Sequence, residues 1–197
     1  CKVMVELSGV SFGYQSDKNV LDNLNLRMEE GRFYGLLGMN GSGKTTLLKL
    51  IAGKLFAHGG EIYVDGRNLR ERDVETLQKV FMLPADFIFP NMSLEQFLAI
   101  YSEFYPEFRK EVLNDCLVNF EIQRDIKNLN QLSLGEKHKV AFSIALSLGT
   151  KIVLLDEAAN GMDIPARKMF RKLLMKHVRE DQIVVLSTHI VQDIENL

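Results

Sequence analysis

The sequence feature that most restricts the fold is a glycine-rich run between an apolar segment and a helical pattern. Residues 33–37 read FYGLL, residues 38–45 read GMNGSGKT, and a helix-like pattern at 46–53 follows. Glycines let backbone N–H groups converge on a phosphate without Cβ clashes, and the next helix N-terminus adds partial positive charge. The run matches G-x-x-x-x-G-K-[ST] at every fixed position, so residues 38–45 are predicted to form a phosphate-binding loop, here called the phosphate loop.

The last two residues of the phosphate loop carry its chemistry. Lys44 is expected to reach the β and γ phosphates of a nucleotide, and Thr45 to offer its hydroxyl to Mg²⁺. A glycine-rich turn that binds no ligand is the alternative, but it explains neither this Lys-Thr pair nor the strand–helix context. The predicted nucleotide-binding residues here are Gly38, Asn40, Gly41, Ser42, Gly43, Lys44, Thr45 and Thr46.

A second apolar segment ends in two acids. Residues 152–155 read IVLL, and Asp156 and Glu157 follow them. Acids at the carboxyl end of a parallel strand lie in the crevice where open sheets bind ligands. Asp156 is therefore predicted to hold Mg²⁺ through its coordination shell, and Glu157 to orient and polarise the attacking water. The competing interpretation is a helix N-cap with acids in its first turn. The phosphate loop upstream favours the catalytic interpretation instead.

Composition excludes several classes of protein. Lys and Arg number 24, Asp and Glu number 26, and the formal net charge is −2. Bulk nucleic-acid binding requires a net basic surface, so it is not expected. Two cysteines, Cys1 and Cys116, make no disulfide framework and indicate a reducing compartment. No apolar run approaches the ~20 residues that span a bilayer, and the chain enters a strand pattern without a signal peptide.

Strand and helix patterns alternate along most of the chain. Apolar alternation predicts antiparallel strands at 3–12 and 21–26, and a strand with a tight turn at 61–66. Short apolar runs predict strands of a parallel sheet, buried on both faces, at 33–37, 80–83, 152–155 and 183–186. Helices are predicted at 46–53, 136–148 and 164–178, and another begins in the last residues. The predicted fold is therefore α/β, with a mostly parallel sheet core and an antiparallel β part.

A helical insertion is predicted between two of the parallel strands. From about 93 to 129 the sequence is amphipathic and aromatic-rich, and Ser93 with Gln96 forms a capping box. We expect one domain over 1–197, with a core of 1–84 and 150–197 and a helical subdomain of about 90–148. Four apolar residues near its start belong either to a docking patch or to the core of the insertion: Phe87, Ile88, Phe89 and Met92.

Residues 132–136, here called the signature segment, read LSLGE and open a helix. With the phosphate loop and the acid pair, this segment resembles the LSGGQ signature of the ATP-binding domain of ABC transporters. Leu134 replaces a glycine and Glu136 a glutamine, whereas Ser133 and Gly135 remain. A hydroxyl and free backbone N–H groups at a helix N-terminus can be aimed at a γ-phosphate. Taken alone, the segment is better explained as an ordinary capped helix, but its order and spacing relative to the phosphate loop and the acid pair favour the signature.

The resemblance covers residues 3–197 and implies further roles. Tyr14 resembles the aromatic residue that stacks on adenine, Asp163 the aspartate of the loop after the acid pair, and His189 the switch histidine that contacts the γ-phosphate. Ala85, followed by Asp86, stands where the family usually has glutamine. The other histidines match no family motif and are interpreted as surface or cap residues: His58, His138 and His177.

The resemblance also implies a reaction and its partners. ATP and Mg²⁺ are the expected cofactors, with Glu157, His189 and Lys44 as catalytic residues of ATP hydrolysis. A second copy or a homologous ATPase subunit would bind head to tail, with its Ser133 and Gly135 facing the phosphate site. The resemblance also implies transmembrane permease subunits as partners and a cytoplasmic position on the inner face of the cell membrane. It implies no nucleic-acid partner. Family members continue past the switch histidine, so we expect this sequence to be cut short at its C-terminus.

Two other classes compete with this interpretation. A soluble ABC-type ATPase outside transport would remodel nucleic acid or ribosomes, but the sequence has neither a sustained heptad repeat nor a second ATP-binding unit. A GTPase would carry an N-K-x-D motif, which the sequence lacks. A small-molecule kinase would need a lid and an acceptor site, and it would leave the signature segment unexplained.

Overall fold

The computed structural model describes residues 2–38, 43–195 and 197. The strands are β1 Val3–Phe12, β2 Leu21–Glu29, β3 Arg32–Leu37, β4 Gly59–Val64, β5 Arg67–Asn68, β6 Val80–Leu83, β7 Ile152–Asp156 and β8 Ile183–Thr188. The α-helices are α1 Lys44–Ile51, α2 Val74–Leu77, α3 Leu94–Phe104, α4 Lys110–Asn119, α5 Leu134–Ser147 and α6 Ile164–His177. Single 3₁₀ turns occur at Leu69–Glu71, Leu129–Gln131 and Val191–Asp193.

The strands form two sheets of four. One sheet has the order β2-β1-β4-β5, and its strands pair antiparallel. The other has the order β3-β8-β7-β6, and its strands pair parallel. The predicted combination of a parallel core and an antiparallel part is confirmed. The β7–β8 register places Asp156 beside Ser187, which brings two polar side chains together at the carboxyl edge of the parallel sheet.

Two hydrophobic cores lie on opposite faces of the parallel sheet. In β7, Ile152 and Leu154 pack with α1 and the antiparallel sheet, whereas Val153 and Leu155 pack with α3, α4, α5 and α6. β8 divides its residues in the same way, because successive side chains in a strand point to opposite faces. A strand covered on both faces therefore reads as a continuous apolar run, as predicted for these two strands.

Two predictions about local structure were wrong. β3 was expected to be buried on both faces, but Leu37 is 50% exposed, because within the described residues β3 pairs only with β8. A helix was expected to begin in the last residues, but Val191–Asp193 is a single 3₁₀ turn. There the Ile190 N–H donates to the Thr188 hydroxyl at 3.0 Å, a local bond of the kind that competes with helix formation.

The helices α3, α4 and α5 follow β6 and precede β7 in the chain. The capping box of α3 is present: the Gln96 N–H donates to Ser93 Oγ at 3.1 Å, and the Ser93 N–H donates to Gln96 Oε1 at 3.0 Å. Phe89 is buried in the core of these helices, whereas Ile88 is 84% exposed. Phe89 therefore belongs to the core of the insertion, whereas Ile88 does not. Among the described residues, no helix is long and apolar enough to cross a bilayer.

Candidate functional site

β3 ends at Leu37 and α1 begins at Lys44, so the last two residues of the phosphate loop lie in the first turn of α1. Gly43 precedes α1 with φ 93°, a left-handed conformation that glycine adopts without Cβ strain. Lys44 is buried, and its ammonium donates to the Gly38 carbonyl and pairs with Glu157 Oε1 at 3.1 Å. The predicted phosphate-binding residues Asn40, Gly41 and Ser42 lie outside the described residues.

Asp156 is held by hydroxyl groups from two other elements. Its carboxylate, on a side chain only 2% exposed, accepts from Thr45 Oγ1 at 2.8 Å and from Ser187 Oγ at 2.6 Å. A hydroxyl and a carboxylate are oxygen donors of the kind that Mg²⁺ prefers. Within the described parts of the chain, no three His, Cys, Asp or Glu residues cluster as a metal site. This donor set fits a Mg²⁺ ion that takes its remaining ligands from phosphate and water.

Glu157 stands at a sharp turn after β7. It has φ 51°, an uncommon conformation for a non-glycine residue, and its N–H donates to the carbonyl of Ser187 at 3.1 Å and its hydroxyl at 3.2 Å. The carboxylate contacts Lys44 Nζ and His189 Nδ1, each at 3.1 Å. Strand ends that are distant in sequence thus bring together an ammonium, a carboxylate and an imidazole that were each predicted as catalytic.

The loop that carries His189 is tied to the loop after the acid pair. Thr188 Oγ1 donates to Asp193 Oδ2 at 3.1 Å, and Arg167 Nη1 pairs with the same oxygen at 2.5 Å. Arg167 Nε also donates to the Met162 carbonyl at 3.1 Å. No motif in the sequence indicates Arg167, Asp193 or Ser187 as site residues. Only the strand register could have found Ser187, since it lies opposite Asp156 in β8.

Tyr14 lies beside the start of α1. Its hydroxyl is 3.1 Å from Thr46 Oγ1, and its ring packs edge-on against Phe12 with a centroid distance of 5.0 Å. The side chain is 62% exposed. An aromatic face near the phosphate loop is therefore available to a flat ligand group.

The signature segment begins α5, and its polar groups are satisfied within one helical turn. The Glu136 N–H donates to Ser133 Oγ at 3.2 Å, and the Ser133 N–H donates to Glu136 Oε1 at 3.0 Å, a complete capping box. The hydrogen bond from the Ser133 N–H lowers the pKa of Glu136 below its usual range. Among the described residues, no hydrogen bond joins this segment to Lys44, Thr45 or the acid pair.

The loop after the acid pair packs against the signature segment. Gly161 has φ 81°, and a Cβ there would lie 3.2 Å from Leu134 Cγ, while a Cβ on Gly135 would lie 3.1 Å from the Gly161 carbonyl oxygen. Leu134 itself is 63% exposed. Asp163 ends this loop and caps α6 by accepting from the Ala166 N–H at 2.9 Å. The predicted loop aspartate thus has a structural role within the chain.

The segment after β6 forms one wall of an apolar groove of about 430 Å³. Phe87 and Ile88 line it, together with Ile100 and Tyr101 of α3. Ala85 and Asp86, which replace the usual glutamine position, are both exposed. This groove is an apolar opening beside the predicted insertion, so it is a candidate surface for an apolar partner.

The histidines outside the predicted site differ in their surroundings. His58 is exposed and packs on Phe12, and His177 pairs with Asp115 at 2.6 Å near the end of α6. His138 was interpreted as a surface or cap residue, and that was wrong, since it is only 3% exposed. It lies on the inward side of α5, against the loop that follows the acid pair. Its sequence neighbours Lys137 and Lys139 are charged and did not indicate this burial.

Comparison with known proteins gives a consistent result. The family model described as ABC transporter matches residues 21–160. The chain is 30% identical over 195 residues to the ABC transporter ATP-binding protein YtrB of Bacillus subtilis, covering 98% of this chain and 66% of that protein. It is also 30% identical over 204 residues to the ABC transporter ATP-binding protein NatA of Bacillus subtilis, covering 98% of this chain and 82% of that protein.

A solved structure has the same fold. The ABC transporter (ATP-binding protein) chain from Pyrococcus furiosus superposes with a TM-score of 0.81 at 30% identity. The match covers 94% of this chain and 91% of the Pyrococcus chain. Sequence and structure therefore resemble the same group of proteins over nearly the whole length of this chain.

Proposed function

The chain belongs to the ABC transporter family, whose ATP-binding domains hydrolyse ATP to power transport, and we propose that it is the ATPase unit of such a transporter. The observation that most directly supports this proposal is the convergence of Lys44, Glu157 and His189, with Thr45 bonded to Asp156 alongside. These groups match the parts needed to hold a triphosphate, a metal ion and an attacking water.

We propose that ATP and Mg²⁺ are the cofactors. Thr45 and Asp156 would hold Mg²⁺ through the two oxygens that lie 2.8 Å apart, and Ser187 fixes the carboxylate from its other side. Bound there, the ion would offset charge on the β and γ phosphates. Lys44 would turn from Glu157 and the Gly38 carbonyl toward the phosphates, and Tyr14 would stack on adenine.

Glu157 is the proposed water-orienting residue. Its backbone is fixed by two hydrogen bonds to Ser187, so the carboxylate projects from a rigid turn. His189 contacts the carboxylate from the exposed side and would also bind the γ-phosphate. A general base held in this way contributes ~10²–10⁴ to the rate of a proton-transfer step.

We propose that the catalytic unit is a head-to-tail pair with a second copy or a homologous subunit. In this arrangement, Ser133 and Gly135 of one copy would face the phosphates bound at Lys44 of the other. The exposure of Ser133 and the absence, within the described chain, of any hydrogen bond to its own phosphate site support this geometry. ATP binding would close the pair and hydrolysis would open it.

Transmembrane permease subunits are the proposed docking partners, and the apolar groove beside Phe87 and Ile88 is the proposed contact. The 84% exposure of Ile88 supports an apolar partner at this place. We further propose a core of 1–84 and 150–197 and a helical subdomain of about 90–148, which would carry the groove and the signature segment. The unit would then lie on the cytoplasmic face of the membrane.

The substitution Glu157→Gln tests the proposed function. We expect Mg-ATP hydrolysis to fall at least ~100-fold, because the base is lost while Lys44, Thr45 and Asp156 still bind the nucleotide. Size-exclusion chromatography with Mg-ATP should then show an accumulated dimer. Glu75→Gln, an exposed change on α2, is the matched control and should behave as the unchanged protein. Undiminished hydrolysis by the Glu157 variant would show that this carboxylate is not the base.

A further inference from the structure

A buried histidine lies between the signature segment and the acid pair. His138 is on α5, one helical turn after Gly135, and is 3% exposed. Histidine is usually only partly buried, so a nearly fully buried imidazole needs a partner for its polar atoms. Burial lowers the pKa of His138, which keeps the ring neutral near neutral pH.

The partner of His138 is the residue that follows the proposed base. His138 Nδ1 is 3.3 Å from the carbonyl oxygen of Ala158, so the neutral ring donates from Nδ1. Ala158 is itself buried, and it follows Glu157 directly in the chain. The turn at Glu157 is thus held on both sides: Ser187 of the parallel sheet accepts from the Glu157 N–H, and His138 of α5 donates to the Ala158 carbonyl.

The same imidazole also contacts the wall of the apolar groove. The Phe87 ring packs edge-on against His138, with a centroid distance of 5.1 Å and an interplanar angle of 81°. Phe87 lines the groove and packs in turn on Phe89, which is buried in the core of the helices. A continuous chain of contacts therefore runs from the groove through Phe87 and His138 to the backbone beside Glu157.

We infer that His138 is a positioning residue that sets the turn at Glu157 according to the position of the groove wall. The inference rests on the proposed ATPase function, and it assigns a route by which a partner in the groove would alter catalysis. Contact with Phe87 places the ring, and the Nδ1–H bond places the Ala158 carbonyl and with it the Glu157 backbone. A shift of about 1 Å in a positioned group is enough to change a rate by ~10²-fold.

Three substitutions separate the hydrogen bond from the packing. His138→Ala removes both, His138→Phe keeps an aromatic ring without the donor, and His138→Gln keeps a donor without the ring. We expect the Ala and Phe variants to lower kcat for ATP about 10-fold with little change in KM. His138→Gln should recover most of kcat. His177→Gln, at the far end of α6, is the control and should retain full kcat.

Thermal unfolding of the same variants tests a purely structural role. His138→Phe fills the site, so it should keep a higher Tm than His138→Ala, while its kcat stays low. Activity that follows Tm across the three variants, without recovery by Gln, would overturn the inference and make His138 an ordinary core residue.

A double substitution tests the route from the groove. If Phe87 acts through His138, the double variant Phe87→Ala/His138→Ala should have a kcat no lower than that of the less active single variant. Losses that multiply would mean that the two residues act separately, and would overturn the route. The measurement uses the purified chain and Mg-ATP alone, so no unidentified partner is needed.

A spectroscopic measurement separates this inference from the proposed function. ¹⁵N NMR of the histidine rings in the nucleotide-free protein should show a neutral His138 with its proton on Nδ1, assigned from its absence in His138→Gln. A proton on Nε2 would overturn the inference even if the protein hydrolyses ATP. Conversely, an unchanged protein that neither binds nor hydrolyses Mg-ATP would remove the proposed function and leave the tautomer result intact.

Discussion

The acid pair and the signature segment satisfy their polar groups in opposite ways. Asp156 is buried and accepts hydrogen bonds from α1 and β8, and Glu157 contacts the phosphate loop and His189. Ser133 is exposed, and among the described residues its hydroxyl bonds only to Glu136 in its own helical turn. The polar groups of the acid pair are therefore satisfied by tertiary contacts, whereas those of the signature segment are satisfied within one helical turn.

This difference separates two kinds of functional residue. Groups at the carboxyl ends of parallel strands are preorganised, because rigid strands bring them together before any ligand binds. A capped helix N-terminus on the surface is equally rigid, yet its N–H groups become functional only when a charged group is brought to it. The comparison predicts that changes at the acid site damage one chain by itself, whereas changes at the signature segment act on the pair.

The largest expected effect comes from Lys44→Ala. The buried ammonium faces Glu157 and would offset phosphate charge, so its loss should lower ATP turnover ~1,000-fold and also weaken ATP binding by a single chain. Turnover and fluorescent-nucleotide binding would be measured together. Lys49→Ala on the same helix is the control and should retain both. Normal binding and turnover in the Lys44 variant would mean that the phosphate loop is not the nucleotide site.

Ser133→Ala should lower ATP turnover about 100-fold, while the affinity of a single chain for ATP should equal that of the unchanged protein. The loss of the cap should also cost about 1 kcal/mol of stability. Ser93→Ala is a close control, because Ser93 caps α3 in the same kind of capping box. Both variants should lose similar stability in urea titrations, but only the Ser133 variant should lose turnover. Equal activity in the two would reduce Ser133 to a helix cap.

A smaller effect is expected for Glu136→Gln. Glutamine keeps an acceptor for the Ser133 N–H but removes a negative charge from the helix N-terminus, where a partner's phosphate would lie. The ATP-driven dimer should become about 3-fold tighter, equivalent to about 0.7 kcal/mol. Sedimentation at two ionic strengths would measure it. The gain should shrink as salt rises, and a salt-independent change would exclude an electrostatic cause.

Because His138, which lies between the two regions, is buried, we expect a modest dependence of stability on pH. Burial lowers the pKa of His138, so below about pH 6.5 the unfolded chain binds a proton more readily than the folded chain. Stability is therefore fully present above this pH and falls as pH decreases toward the lower folded pKa. The slope cannot exceed about 1.4 kcal/mol per pH unit for one group. Urea midpoints at pH 7.5 and 5.5 should differ less in His138→Gln than in the unchanged protein.

The sequence by itself determined the chemistry that depends on short stretches of chain. Residues 38–45 and the acids after 152–155 predicted a phosphate loop and an acid pair, and the Ser93 and Ser133 capping boxes followed from a spacing of three residues. Apolar alternation likewise predicted the antiparallel strands. In each case, one turn or one strand contains all the interacting atoms, so the pattern of residue types is sufficient.

Only the tertiary structure decided which distant groups meet. Ser187 bonds to Asp156 because of the β7–β8 register, and Asp193 of the last 3₁₀ turn pairs with Arg167 of α6. His138 is buried because its side of α5 faces the loop after Glu157, although its sequence neighbours are lysines. Leu37 is exposed because β3 lies at the edge of the described sheet. Burial and long-range pairing depend on what packs against a residue, and local sequence carries little information about that.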